Sequence, residues 1–235
     1  MKQIKEDFPE LPKIKERKKY VYVISALFFI FVWFTGLFNE ILSKIGIEKN
    51  ILHTEFFNLF LGIIISIILI IILKKDIIRD LKYFFKNFKI YFKYDIILYI
   101  IMITVNMALA LILRKIVGSD PLNETEINEL NLSIPFIFLY GAFIGPFIEE
   151  CVYRGLLQKI FKNKYLFLIT SSLLFGLAHM DIPGIMENPL QLLYLVSYAW
   201  NGFIFAYNYR KTGNLSSSIF LHMFSNFISF AIGLL

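Results

Sequence analysis

One cysteine, Cys151, is present among 235 residues, so no intrachain disulfide can brace this chain. Cys151 also falls in an apolar stretch rather than in an oxidising loop. No internal repeat recurs and no long linker interrupts the sequence, which argues against a repeat array or a string of separate domains. No small-residue cleavage site follows the charged first 19 or so residues, which run straight into an apolar segment. That is the pattern of an uncleaved signal anchor, with the mature chain starting near Met1.

What fills the chain instead is hydrocarbon. Hydrophobic residues make up 57% of it, Phe alone occurs 26 times, and the mean hydropathy is +0.65. A soluble domain is usually about 45 to 50% apolar, so the composition predicts a polytopic membrane protein. Stretches of about 17 to 25 mostly apolar residues can cross the hydrocarbon core. Seven are expected, near Tyr20–Phe38, Phe56–Leu73, Ile96–Leu113, Ile134–Glu150 with a continuation, Tyr165–His179, Leu190–Tyr209 and Ser217–Leu235. The fold class predicted is all-α, a polytopic transmembrane bundle of about seven spans. The second stretch has no polar side beyond Ser66 and is expected to face lipid.

Charge orients such a bundle. Of the 24 Lys and Arg, 20 fall on alternate connections and 4 on the others. By the positive-inside rule the N-terminus, the Lys74–Lys93 region, Arg154–Lys164 and Arg210 with Lys211 are cytoplasmic, and the C-terminus lies outside. The net charge of +6 is explained by topology and anionic headgroups, with no nucleic-acid partner implied. The Lys74–Lys93 region is read either as a solvated loop or as an interfacial amphipathic helix carrying aromatic anchors.

Three polar clusters interrupt the apolar stretches: Glu149, Glu150 and Arg154; then Phe175 and His179; then His222 and Asn226. Ionisable side chains at membrane depth are costly and mark functional sites by default. Residues four apart share a helix face while neighbours point about 100° apart, so Glu150 can pair with Arg154 and Glu149 is turned elsewhere. This divides the labour, with Glu150 as an anchored carboxylate and Glu149 free to act on water as a general base. A turn near Asn163 and Lys164 places Glu150 and His179 at matching depths of roughly 20 Å, while His222 and Asn226 lie about 12 and 18 Å past the turn at Thr212–Asn214, at 1.5 Å per residue. Pro146, one turn before Glu150, cannot donate to the carbonyl of Ala142 and predicts a kink and a small wet cavity beside the carboxylates.

The order Glu-Glu-x-x-x-Arg, Phe-x-x-x-His, His-x-x-x-Asn, with Gly155, Leu156 and Leu157 after the first motif and Thr212 to Leu215 before the last, resembles the CPBP or Abi family of intramembrane proteases. That family includes the Ras-converting CAAX endoprotease and bacteriocin-processing and immunity proteins. The resemblance runs over about Ile134 to Phe230. It implies that Glu149 activates water with help from His179, that His222 and Asn226 stabilise the oxyanion, that Glu150 with Arg154 supports the site, and that Phe175 packs on the face of His179. Domain boundaries follow: a basic cytoplasmic N-terminus at 1–19, variable transmembrane helices at 20–133, and a catalytic core of four helices at 134–235.

Other chemistries compete. Two histidines and a glutamate form a zinc donor set of the His₂Glu kind, although no His-Glu-x-x-His run is present, and an asparagine is a better oxyanion donor than a zinc ligand. No cofactor is expected, with zinc left open. Cys151 could serve as a thiol nucleophile, yet a thiol in apolar company is usually an inert small hydrophobe. A non-proteolytic membrane immunity or regulatory protein, binding a peptide or a sensor kinase, would use the same cavity for recognition alone. The expected partners are a peptide or lipidated protein substrate and membrane lipids. A cavity reached from the cytoplasmic side is anticipated, in what the Lys-, Ile- and Phe-rich usage suggests is a prokaryotic cytoplasmic membrane.

Overall fold

The architecture comes from a computed structural model that describes residues 8–34, 44, 55–122 and 132–233. Among the described residues eight largely α-helical elements of six residues or more carry the fold, a six-residue 3₁₀ helix, Pro189–Tyr194, precedes the seventh, and no strand occurs. They are α1 (Lys19–Phe34), α2 (Glu55–Lys86), α3 (Phe88–Val117), α4 (Ile134–Ile160), α5 (Lys164–Ala178), α6 (Ile182–Glu187), α7 (Leu195–Thr212) and α8 (Leu215–Gly233). Among the described residues α2, α3, α4 and α8 are long and apolar enough to cross a membrane, and α1 and α5 contain shorter apolar helices. The all-α membrane bundle is as expected. The last four residues of the first expected span, and the final two of the chain, lie outside the described residues.

The Lys74–Lys93 region is not a solvated loop: it is helical on both sides of Asn87, exposed on one face and buried on the other, and it continues two long helices. Helix α2 continues to Lys86, and α3 starts at Phe88 after a break at Asn87. At 1.5 Å per residue the 32 residues of α2 span about 48 Å, well beyond a hydrocarbon core of about 30 Å. The excess is held by carboxylates hidden among the lysines. Asp76, Asp80 and Asp95 are all buried, and each is spent on another element. Asp80 accepts from the backbone N–H of Leu215 at 2.8 Å and from Arg79 at 2.6 Å. Asp76 accepts from Lys159 of α4 at 2.8 Å. Asp95 accepts from Asn208 of α7 and Ser217 of α8 at 2.8 and 2.7 Å.

These bonds fix where α8 begins. Gly213 ends α7 with φ of 64°, the left-handed conformation that glycine adopts without a Cβ penalty. Asn214 then caps α8, its side-chain oxygen accepting from the N–H groups of Ser216 and Ser217 at 2.9 and 3.3 Å. With Asp80 on Leu215, three otherwise orphaned N–H groups at the start of α8 are satisfied by side chains. Leu69, Leu73, Leu156, Leu215 and Leu221 pack into the central core next to this junction.

Helices α5 and α7 approach closely because Gly202 faces α5. A Cβ there would lie 2.9 Å from the carbonyl oxygen of Ser172, and small residues of this kind let helix backbones meet in a membrane. In α4, two stretches of wide π-helical turns, Ile137–Ile144 and Cys151–Leu156, flank the α-helical segment Gly145–Glu150 that bears the glutamates. The irregularity expected from Pro146 takes this form. Wide turns re-aim side chains and are common at functional sites.

Most of the lysine-bearing helix ends gather at one end of the bundle, Arg114 and Lys115 at the far end of α3 being the exception. The N-terminal segment joins them there, with Glu16 paired to Lys159 and Lys162 and Arg17 donating to the carbonyls of Ile71 and Ile72. The opposite end is marked by Glu55, which accepts from both the backbone and the hydroxyl of Ser133.

Candidate active site

Helix α5 has only 15 residues, about 22 Å of rise, and therefore stops inside a hydrocarbon core of about 30 Å. His179 follows its last residue directly. The seemingly shallow place of His179 at the end of its span is thus resolved by a short helix. His222 stands two turns into α8, and Glu149 hangs from the segment between the wide turns of α4.

These three side chains meet. The Oε2 atom of Glu149 lies 3.9 Å from Nε2 of His179 and 3.9 Å from Nε2 of His222. That oxygen is buried without a hydrogen-bond partner in the described residues. Two ring nitrogens and one carboxylate oxygen thus converge at separations too long for direct hydrogen bonds and suited to a bridging water.

The rings are oriented from behind. Nδ1 of His179 is 2.8 Å from the carbonyl oxygen of Phe175, and a carbonyl only accepts, so Nδ1 carries the proton and the neutral ring presents a bare Nε2 to Glu149. Nδ1 of His222 is 2.9 Å from Oε1 of Glu150 and donates by the same logic. Aromatic faces clamp both rings. Phe175 and Tyr198 flank His179 at centroid separations of 4.5 and 5.5 Å, and Phe205 stacks on His222 at 4.3 Å.

Glu150 is fully buried and accepts three bonds: from Arg154 Nη1 at 2.9 Å, from His222, and from the hydroxyl of Ser218 at 2.5 Å. Arg154, also fully buried, gives its other terminal nitrogen to the carbonyl of Gly202 at 2.8 Å. Its guanidinium lies over Phe175 at 4.8 Å and Phe205 at 5.3 Å, contacts that favour a desolvated cation. Neighbouring glutamates thus have the divided surroundings anticipated from helix geometry. Asn226, one turn beyond His222, donates from Nδ2 to the carbonyl of Gly141 at 2.9 Å, which leaves its second amide N–H uncommitted by that bond.

Ser218, Phe205 and Tyr198 escape a reading based on ionisable motifs alone, and Asp95, though ionisable, belongs to none of the three motifs. A signal existed for Ser218, since Ser218, His222 and Asn226 repeat at intervals of four and share one face of α8. Cys151 is fully buried in the core, which leaves a thiol nucleophile with no path to substrate. The zinc alternative meets a geometric difficulty. Tetrahedral ligands near 2.0 to 2.1 Å from a metal sit roughly 3.3 Å apart, closer than 3.9 Å, and no group of three His, Cys, Asp or Glu among the described residues is arranged to hold a metal ion.

A cavity of about 550 Å³ rises from this floor, bounded at depth by Phe175, His179, Phe205 and His222, and near its rim by Glu55, Asn58, Leu132 and Phe230. It opens at the end of the bundle marked by Glu55. Toward the lysine-rich side, from which access is expected, Arg154, Glu150, Ser218 and Leu221 are all buried.

Comparison with known proteins covers the same region. Residues 131–228 match the family described as type II CAAX prenyl endopeptidase Rce1-like. This segment is similar to the Rce1-like family. Its limits agree with the motif-bearing stretch and with α4 to α8. The chain is also 26% identical over 113 residues to a Bacillus subtilis (strain 168) protein described as "Putative membrane peptidase YdiL", covering 47% of this chain and 42% of that protein. It is 34% identical over 112 residues to an uncharacterised protein of Mycoplasma capricolum subsp. capricolum, covering 47% of this chain and 31% of that protein. The matched region is thus less than half the length of either relative. No solved structure matches the chain. The Rce1-like segment and the four long apolar helices together make this an integral membrane protein.

Proposed function

We propose that the chain is an intramembrane endopeptidase that hydrolyses a peptide bond of a membrane-associated peptide or protein, with Glu149 activating the attacking water. The Rce1-like segment supports a membrane peptidase of this class, as does the description of the Bacillus subtilis relative. The observation that carries the residue assignment is the unpartnered Glu149 oxygen, equidistant from two imidazole nitrogens at the floor of the cavity.

Water between Glu149 and His179 gives a proton to Glu149 as its oxygen attacks the substrate carbonyl. His179 accepts the water's second hydrogen in a hydrogen bond through its bare Nε2. The carbonyl oxygen becomes an oxyanion near His222 and the free N–H of Asn226, donors of the kind that stabilise such charge. For Nε2 of His222 to donate, the ring must hold both protons, and the Glu150 carboxylate on Nδ1 offsets that charge. Collapse breaks the C–N bond, and Glu149 returns its proton to the leaving amine. No step runs through a metal.

Replacing Glu149 with Gln keeps the shape and removes the base. Turnover should fall about 10² to 10⁴-fold while the protein still accumulates in the membrane. A protein that acts only by binding a peptide or kinase would retain its biological effect in the Glu149→Gln form, and that result would replace the enzymatic reading.

A further inference from the structure

We infer that Asn201 binds the main chain of the substrate, its side-chain amide donating to a peptide carbonyl beside the scissile bond. This rests on the endopeptidase reading and adds to that site a residue outside the three motifs.

Asn201 stands at the level of the catalytic floor. On α7, Tyr198 stacks against His179 at 5.5 Å and Phe205 against His222 at 4.3 Å. Asn201 follows the first by three residues and precedes the second by four, so the three share one face of the helix. It lies about 4.5 Å along the axis from Tyr198 and about 6 Å from Phe205. All three line the cavity together with both histidines.

The amide is oriented from behind. Ser197 donates its hydroxyl to Oδ1 of Asn106 at 3.3 Å, and the other arm of that carboxamide, Nδ2, donates to Oδ1 of Asn201 at 2.5 Å. Trp200 holds α7 to α3 close by, donating to the carbonyl of Met102, one turn before Asn106, at 3.3 Å. Asn201 thus spends its acceptor on α3 and keeps the two N–H donors of Nδ2. Asn106 lines a neighbouring cavity of about 410 Å³ but not the catalytic one. The Oδ1 arm of Asn201 therefore turns to that side, and the Nδ2 arm to the catalytic side.

A peptide substrate needs such a donor. To be cut it must be unwound at the scissile bond, which frees main-chain carbonyls from their helical partners, and unpaired backbone groups are costly at membrane depth. The wall beside Asn201 is largely aromatic, with Phe175, Tyr198 and Phe205, and these rings offer little to a carbonyl. A carboxamide with two N–H groups to give supplies what the substrate backbone has lost. The competing role is that of a polar contact between helices, which carboxamides often make in membranes. That role uses only the Oδ1 arm.

Asn201→Leu and Asn106→Leu both break the α3–α7 bond, but only the first removes the donor. The experiment measures KM and kcat of each purified full-length protein on a quenched fluorescent peptide that the wild-type protein cleaves, with thermal melts in detergent alongside. The expected result is a KM raised about tenfold in Asn201→Leu, the worth of one neutral hydrogen bond, and less than about threefold in Asn106→Leu, although both variants melt at similarly lowered temperatures. The rise should fall on KM, with kcat changed less than about threefold, because a contact to a part of the chain that does not react is made before and during the reaction alike. Asn201→Asp keeps an acceptor for Asn106 and loses the amide donors, so it should melt near the wild-type temperature and still raise KM. That variant decides the matter if Asn201→Leu fails to accumulate. An equal KM in Asn201→Leu and Asn106→Leu, or a wild-type KM in Asn201→Asp, would overturn the inference and leave Asn201 as a contact between helices. Such a result with Glu149-dependent cleavage intact leaves the endopeptidase reading standing, whereas the absence of any Glu149-dependent cleavage removes that reading and this inference with it.

Discussion

Arg154 shows how much a single side chain does here. It lies buried between two phenylalanine rings, one nitrogen on Glu150 and another on the Gly202 carbonyl. Replacing it with Leu would strand the Glu150 carboxylate in a low-dielectric interior, at a cost on the order of 3 to 5 kcal/mol. Arg154→Leu should therefore lower both the melting temperature in detergent and activity, while Arg154→Lys should rescue only part, because an ammonium cannot reproduce the planar fork. Ser218→Ala is milder. It removes one of three donors to Glu150, worth about 1.5 to 3 kcal/mol for a bond to a charged group, and should reduce turnover through misplacement of His222. Thermal melts alongside cleavage rates would check both. Glu149, Glu150, Arg154 and the histidines were legible in the sequence because charge and imidazole stand out against hydrocarbon. Ser218 and Phe205 were not, because serine and phenylalanine are ordinary in membrane helices and only the meeting of α4, α7 and α8 gives them their places.

At the scale of elements, the site depends on where helices begin and end. The short α5 leaves His179 inside the membrane, and the wide turns of α4 present adjacent glutamates to different surroundings. The start of α8 is held by Asn214 and by Asp80 reaching from α2. Asp80→Ala leaves the N–H of Leu215 and the Arg79 side chain without this acceptor, and should destabilise the protein by about 1 to 3 kcal/mol, measurable as a lower melting temperature in detergent. Asp80→Asn, which keeps a side-chain oxygen, should lose less. This junction was hard to see in the sequence. Counting lysines and aromatics between Lys74 and Lys93 pointed to the face that is exposed, whereas Asp76 and Asp80, one turn apart, were the residues that reported the buried face. The turns at Asn163 and Gly213 were legible, since asparagine and glycine there have local work to do in capping and turning the chain.

For the whole molecule, hydropathy and motif order sufficed to read an all-α membrane bundle with its polar residues converging. The direction of the cavity was not legible, because it depends on which end of the bundle is filled by buried side chains and which stays open. The account's central claim is that Glu149 and His179, and not a metal, activate the water. The most direct measurement is the cleavage rate of a membrane-associated precursor peptide by purified protein before and after treatment with a strong chelator, with zinc content measured in parallel. The account predicts an unchanged wild-type rate, no stoichiometric zinc, and loss of cleavage in Glu149→Gln with or without chelator. Loss of wild-type activity on chelation, restored by zinc alone, would contradict it.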